Sequence, residues 1–525
     1  MSRPNPLNLA VFVAGLLVLG TLPAIVKGGL YLTNYEGDAL HLADIVLRMA
    51  AGQRPHIDFM TPLGVFSVWP IAAVHRAGVD VGQAFVLAQA GFAGLVGIVI
   101  WWSAVTRLPR YTAYAFAASS MALLTSLAHG YDVPNLAVSM HYNRWAWGLT
   151  FAAVLMAALP PVGAPRPRTE GVVMAVIVWC LAFLKVTFAV ALAPAILLIL
   201  LIRGETRTVL AGVMAGIVLA ALTLVVPGYS SVAAYVGDLF AALRAPLRGA
   251  PGLPWNALLV SPAFLAPSAV LTGSAIYLRN AGHRAEGLSL LLLLPPFVFI
   301  TWQNFGNAPL WLIPVAAILA ATYMRDPTGL RPVGAAAIVA AALSIAPVVV
   351  HGGSGIRLLA IDTSAYTPMV PGRAELDDMH VAALPAQLLR ARTVLNDPGR
   401  AFEDVKVDRP EPEQIGGEEL SECQLLTGIN AALETLTNET PAEAHPLFVA
   451  DVLSGHWLFG GAPLPGAAPW NYGTLHGFEN ADYVLVPLCA VDMPARRAIL
   501  EQFNASDASF RMVQQTPRHW LLQID

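Results

Sequence analysis

The chain has 525 residues, of which 56% are hydrophobic and only 12% charged, with a formal net charge of −4. A soluble globular protein carries roughly 25% charged residues, so the deficit points to lipid. With no basic run in the chain, it also argues against nucleic-acid binding. About two thirds of the acidic residues lie beyond His351, which divides the chain into an apolar part over 1–350 and an acidic, solvated tail over 351–525.

A spanning helix needs about 20 mostly apolar residues. The first runs from Leu7 to about Val26, behind a short start containing Arg3. A cleaved signal peptide is the less favoured reading, because the apolar stretch is long and no small-x-small cleavage site follows it. Further apolar stretches fall at roughly 82–105, 111–128, 146–160, 171–190, 191–202, 208–228, 256–278, 287–301, 309–324 and 333–350, about eleven spans in all. The pieces at 171–190 and 191–202 read either as one long helix or as a hairpin. The hairpin puts Arg107 and Arg110, Arg166 and Arg168, Arg203 and Arg207, Arg279 and Arg284, and Arg325 and Arg331 on one side, as the positive-inside bias requires. The N-terminus is then cytoplasmic and the tail lies outside, in the periplasm if the membrane is a bacterial inner membrane.

On that topology most acidic residues of the apolar part, Glu36, Asp38, Asp44, Asp58, Asp80, Asp132 and Asp238, fall on the outer side. The first outer loop carries a helical pattern from Asp38 to Ala51, with Leu40, Ala43, Val46, Leu47 and Ala50 on one face and Asp44 and Arg48 elsewhere. A short amphipathic helix beside a membrane is expected to lie in the interface. Gly52 ends it, and Pro55 and Pro62 hold the next stretch extended. Gly64 to Val74 is apolar but too short to span, and reads as a second interfacial helix. Asp38 at a helix start is ordinarily an N-cap; with Glu36 and Asp58 in the same compact loop it is also a candidate catalytic acid or base.

The second outer loop, HGYDVPNLAVSMHYNRWAWG from His129 to Gly148, is dense in polar and aromatic residues. An interfacial aromatic belt accounts for Trp145 and Trp147. It does not account for His141, Tyr142, Asn143 and Arg144 crowded at a helix start, and Arg144 can clamp a phosphate with its planar fork. Asp132 is the candidate second acid, and Asp38, Asp132 and His141 are a conceivable metal set. Lys185, within an apolar helix, either snorkels to the outer surface or pairs with a lipid phosphate. Arg244 and Arg248, four apart, share a face of a short surface helix, and Gln303 and Asn304 can hydrogen-bond a sugar.

The tail reads as a small α/β domain. HPLFVADV (445–452) and ADYVLVPL (481–488) are expected strands, FRMVQQ and HWLLQI a hairpin, and 419–436 and 494–503 helices. The Gly/Pro-rich segment GHWLFGGAPLPGAAPWNYG reads as a surface loop, with a lid as the alternative. Cys423 and Cys489 can pair in an oxidising compartment, whereas Cys180 lies in an apolar span. No P-loop, nucleophile elbow or zinc pattern is present.

The first outer loop resembles that of the C-type glycosyltransferase superfamily, integral membrane enzymes that include protein O-mannosyltransferases and lipid A aminoarabinose transferases. The resemblance rests on Asp38, the helix to Ala51, the stretch GQRPHIDF (Gly52 to Phe59) and the turn TPLG (Thr61 to Gly64), together with the overall layout. It implies transfer of a sugar from a polyprenyl-phosphate donor to a lipid, glycan or protein acceptor outside the membrane, with Asp38 activating the acceptor or helping to bind a divalent cation, Mg or Mn. Many members have paired acids where this chain has Asp38-Ala39. Either Glu36 takes the partner's place or the metal dependence does not hold. A transporter or lipid flippase built around Lys185, and a non-catalytic scaffold, are the competing readings; the lack of internal repeats counts against the transporter.

Overall fold

The computed structural model describes residues 3–129, 134–245, 260–303, 308–383, 390–393, 413–415, 417–420, 423–441, 444–506 and 508–525. Every apolar stretch read from the sequence carries a helix. In the first half these are α1 (Pro6–Lys27), α4 (Val81–Arg107), α5 (Arg110–Leu124), α6 (His141–Ala158), α7 (Pro167–Leu184), α8 (Val186–Ile202) and α9 (Thr206–Thr223), with α2 (Glu36–Ala50) and α3 (Trp69–Arg76) in the first loop. Then come α10 (Tyr229–Arg244), α11 (Pro262–Asn280), α12 (Arg284–Gln303), α13 (Leu312–Arg325), α14 (Arg331–Gly352) and α15 (Ser354–Leu359). Among the described residues, 6 helical runs are long and apolar enough to cross a membrane, and α8 and α13 are apolar but shorter. The helix α6 fails that test because it begins with His141, Asn143 and Arg144. Its position explains why it can: every residue except Tyr142 is buried, so it runs through the middle of the bundle and meets helices, not lipid.

Lys185 alone, in an extended conformation (φ −153°, ψ 100°), separates α7 from α8. The two helices form a hairpin. Glu170 at the start of α7 pairs with Arg107 at the end of α4 (2.7 Å), and Arg203, directly after α8, lies within electrostatic reach of both. Arg203 donates to the Ala158 carbonyl (2.8 Å) and Arg325 to the Pro160 carbonyl (3.2 Å). Arginines thus collect around the C-terminus of the central helix, where its dipole favours cations. Arg107, Arg203 and Arg325 therefore share one end of the bundle, as the hairpin reading requires, and Lys185 sits at the other end.

At that opposite end the first loop and the tail form one layer. Strand β1 (Leu30–Leu32) pairs in parallel with β3 (Met379–Ala382), which pairs antiparallel with β2 (Tyr366–Pro368). Leu40, Val46 and Phe59 of the loop share a core with Met369, Leu433 and Leu458 of the tail. Two carboxylates tie the parts reciprocally. Asp378 of the tail accepts from the first amides of α4, Gly82 (2.8 Å) and Gln83 (2.6 Å). Glu36 of the loop accepts from Gly428 (3.0 Å) and Ile429 (3.4 Å), where α16 (Ile429–Glu439) begins. Each satisfies orphan N–H groups at a helix N-terminus and complements its dipole.

The layer corrects the expectation that α2 is interfacial. Its polar face, Asp44 and Arg48, is buried in an ion pair (2.6 Å) under the tail. The Arg48 guanidinium also donates to the Leu464 carbonyl (3.1 Å) and lies over the rings of Phe59 and Trp457. The Gly/Pro-rich segment is likewise not a free surface loop. Gly455 to Leu458 is buried, Gly466 N–H donates to the Asp58 carbonyl (2.9 Å), and the Ala467 carbonyl accepts from Met60 N–H (3.3 Å). It lies across the first loop.

The rest of the tail is a mixed sheet, β11 (Phe510–Gln515), β12 (His519–Ile524), β9 (Tyr483–Pro487) and β8 (Leu447–Val449) in that order, with α17 (Met493–Asn504) packed on it. The expected strands and hairpin are present. The helix expected over 419–436 instead starts at Ile429. The residues ahead of it are held in β7 (Cys423–Thr427), which pairs with β10 (Cys489–Ala490), and Gly428 turns the chain at φ 72°. Cys423 and Cys489 are disulfide-bonded, and Cys180 is free and half-buried.

Candidate functional site

Three non-glycine residues have positive φ among the described residues: Tyr35 (65°), His56 (72°) and Met140 (57°). All lie at the layered end. Tyr35 directly precedes α2 and Met140 directly precedes α6, so each sets the entry angle of a helix that carries candidate site residues. Such conformations cost about 1–3 kcal/mol each and persist where surrounding contacts enforce them, often at functional sites.

Asp38 is in the first turn of α2, but among the described residues no backbone N–H of α2 donates to it, so it is not the cap of its own helix. Its Oδ2 accepts a hydrogen bond from the Ser139 hydroxyl, in the loop that leads into α6. Asp38 is half-buried. Burial pushes its carboxyl above the ordinary aspartate range, and the Ser139 bond pulls it partly back. The Ser139 carbonyl in turn accepts from Arg144 Nη1 (3.0 Å), as does the His129 carbonyl (3.4 Å). Tyr35 stacks face to face on His129 (ring centroids 4.0 Å apart). Asp38, Ser139 and Arg144 thus form a relay between the start of α2 and the start of α6. Burial holds the His129 imidazole down to about 4, with the Arg144 charge adding to the effect.

The other sequence-predicted residues fall in different places. Tyr142 is beside the relay, with Lys185 Nζ 5.1 Å above its ring, so the hairpin tip and the start of α6 meet. Gly64 of the TPLG turn packs there too, since a Cβ would run into the Phe183 carbonyl at the end of α7. His141 has Nε2 2.6 Å from the Ser67 carbonyl and Nδ1 3.3 Å from that of Val138. Both ring nitrogens face backbone carbonyls. Asn143 lies 2.9 Å from the Met140 sulfur through Nδ2. Glu36 caps α16, and Asp58 accepts from Arg54 N–H (2.6 Å) within its own turn. Arg244 is exposed over the Phe240 ring, and Gln303 is half-buried at the end of α12. Asp132, Arg248 and Asn304 lie outside the described residues. Among the described residues, no group of three His, Cys, Asp or Glu side chains can hold a metal ion.

Sequence reasoning missed Ser139, Tyr35 and His129. Ser139 is a common residue in a loop, and only the fold brings it to Asp38, 101 positions away. It also missed that His56 Nδ1 (2.9 Å) and Thr61 N–H (3.0 Å) bind Asp238, which docks α10 onto the first loop.

No protein-family model, no curated protein and no solved structure matches this chain.

Proposed function

We propose that the chain is an integral membrane glycosyltransferase of the C type, with about eleven spans, the arginine end in the cytoplasm of a bacterium and the layered end in the periplasm. It moves a sugar from a polyprenyl-phosphate donor to an acceptor hydroxyl or amine on a lipid, glycan or protein. The observation that carries this reading is Asp38. It is a half-buried carboxylate with raised proton affinity, hydrogen-bonded by Ser139 and one residue removed from a buried arginine.

In the step, the acceptor oxygen or nitrogen bonds to the anomeric carbon as the bond from that carbon to the phosphate oxygen breaks. Asp38 takes the acceptor's proton, and polyprenyl phosphate leaves with the bonding electrons. Burial serves the base, because a carboxylate with elevated pKa holds the proton more firmly in the transition state. Arg144 and Lys185 supply positive charge for the departing phosphate. The transporter reading needs a charge near the bilayer midplane, and Lys185 is at a helix end.

Asp38→Asn keeps the shape and the Ser139 contact but removes the base. Transfer from a radiolabelled polyprenyl-phosphate sugar is expected to fall by about 10²–10⁴-fold, with an unchanged melting curve. Full activity in that variant overturns the assignment.

A further inference from the structure

At the arginine end of the bundle, opposite to Asp38, a groove of about 1040 Å³ runs between α7 and α9. Its mouth is lined by Arg166, Arg168 and Arg207. Arg166 directly precedes α7, Arg168 lies in its first turn, and Arg207 lies in the first turn of α9. A close crossing of the two helices brings the three together. A Cβ on Gly171 would stand 2.3 Å from the Thr208 carbonyl oxygen and 2.7 Å from the Gly212 nitrogen, so the backbones meet within a turn of Arg168 and Arg207. All three arginines are exposed, and among the described residues none is hydrogen-bonded or ion-paired. The acids beside them in sequence are engaged elsewhere, Glu170 with Arg107 (2.7 Å) and Glu205 with the Thr208 hydroxyl (3.4 Å). Both helices also begin at this mouth without a side-chain cap, so two helix dipoles add positive potential to three guanidinium groups.

Beyond the mouth the groove is apolar. Val172 and Val176 of α7, and Leu210, Met214 and Val218 of α9, form rows at four-residue spacing along its walls. Each of the five is 39–63% exposed. The α9 wall from Leu210 to Leu219 rises about 14 Å, close to half of a hydrocarbon core of ~30 Å. The groove is therefore one leaflet deep. Solvated arginines are the ordinary outcome at a membrane surface, but these stand over a channel that water does not favour. A free anion would leave the walls unused, and an uncharged lipid would leave the arginines unused. An anionic phospholipid engages both, its phosphate accepting from the guanidinium forks and its chain lying along the walls, as in other basic pockets between spanning helices. The helix α9 also depends on such a neighbour, since only Thr208 and Thr223 of it are buried.

We infer that the groove between α7 and α9 binds an anionic diacyl phospholipid of the adjoining leaflet, with its phosphate on Arg166, Arg168 and Arg207. The lipid is a structural ligand that holds α9 against α7, at the opposite end of the bundle from the proposed transfer site. The inference does not rest on the transferase reading; only the naming of this leaflet as cytoplasmic rests on the topology proposed above.

The full-length protein in detergent tests this by thermal melting, titrated separately with phosphatidylglycerol, phosphatidylcholine, inorganic phosphate and a short polyprenyl phosphate. Phosphatidylglycerol is expected to raise the melting temperature more than phosphatidylcholine does. Its apparent affinity is expected to weaken at least about tenfold when Arg166→Gln, Arg168→Gln and Arg207→Gln are combined, at exposed positions where the fold is safest. Met214→Trp, which fills the groove and keeps the arginines, is expected to weaken it in the same direction. Equal stabilisation by the two phospholipids, no response to phosphatidylglycerol, or an unchanged response in the triple variant overturns the site. Inorganic phosphate matching phosphatidylglycerol, or Met214→Trp responding as wild type does, overturns the role of the apolar walls. Polyprenyl phosphate stabilising more strongly through the same arginines assigns the groove to that lipid and overturns the phospholipid. No sugar enters the readout, so loss of transfer leaves this inference standing and its failure leaves the transferase standing.

Discussion

At the scale of single residues, the acids of the first loop look alike in sequence and differ in what they meet. Glu36 is spent on the amides of Gly428 and Ile429, Asp44 on Arg48, and Asp58 on its own turn. Asp38 faces a neutral hydroxyl, and burial raises its proton affinity. Glu36→Ala is therefore expected to act on folding and not on substrate. It should cost about 1 kcal/mol of stability, as loss of a helix cap does, and leave the KM for donor unchanged, which parallel melting and steady-state kinetics will show. A raised KM with an unchanged melting curve would return Glu36 to the substrate site. A lone sequence cannot make this distinction, because a carboxylate's role depends on partners that lie 392 positions away for Glu36 and 101 for Asp38.

At the scale of elements, periodicity and composition located helices well, because apolar runs must be helical in lipid to satisfy their backbones. The arginine pattern also pointed to a hairpin between 171–190 and 191–202, but the turn itself falls earlier, at Lys185, a single extended residue that the sequence places within an apolar helix. Where a second body covers an element, the sequence misleads: α2 has the amphipathic pattern of an interfacial helix, yet its polar stripe is internal. The helix expected at 419–436 failed for a related reason, since strand pairing and the disulfide claim Cys423–Thr427. The TPLG turn owes its glycine to a close approach. Gly64→Ala is expected to push the first loop off the α7–α8 tip, costing about 1–3 kcal/mol as overpacking does. Thermal unfolding measures the cost, and transfer should fall with it because Lys185 and Tyr142 shift together. A variant of wild-type stability would show that the contact is loose.

At the scale of the whole molecule, loop and tail are one layer, joined by β1–β3, by exchanged helix caps and by a shared core. Composition divides the chain at His351, but this joint core was invisible to it because each half contributes only part of the apolar surface. The layer is built over neutral histidines. Burial holds His41 and His456 down to about 3 and His129 down to about 4. A base with a depressed folded-state pKa contributes stability that is complete above its unfolded value and lost as pH falls toward the folded one. Asp451 opposes this: burial raises it to about 6 despite three backbone N–H bonds, so its contribution is complete at low pH and lost as pH rises through that value. Four displaced histidines, His519 included, outweigh the three aspartates that burial raises, Asp38, Asp378 and Asp451. Limited proteolysis is thus expected to release the tail faster at about pH 5 than at about pH 7, and an equal or slower rate at low pH would contradict this packing.

The claim on which the function rests is that Asp38 is a base tuned by burial and by Ser139. The pH dependence of kcat/KM for sugar transfer tests it most directly in the wild type and in Ser139→Ala. With Asp38 as the base, the rate rises with pH through a limb above the ordinary aspartate value of 3.8. Removing the hydroxyl that favours the carboxylate moves that limb to higher pH. A rate that is flat across the range, or a limb that Ser139→Ala leaves in place, contradicts it.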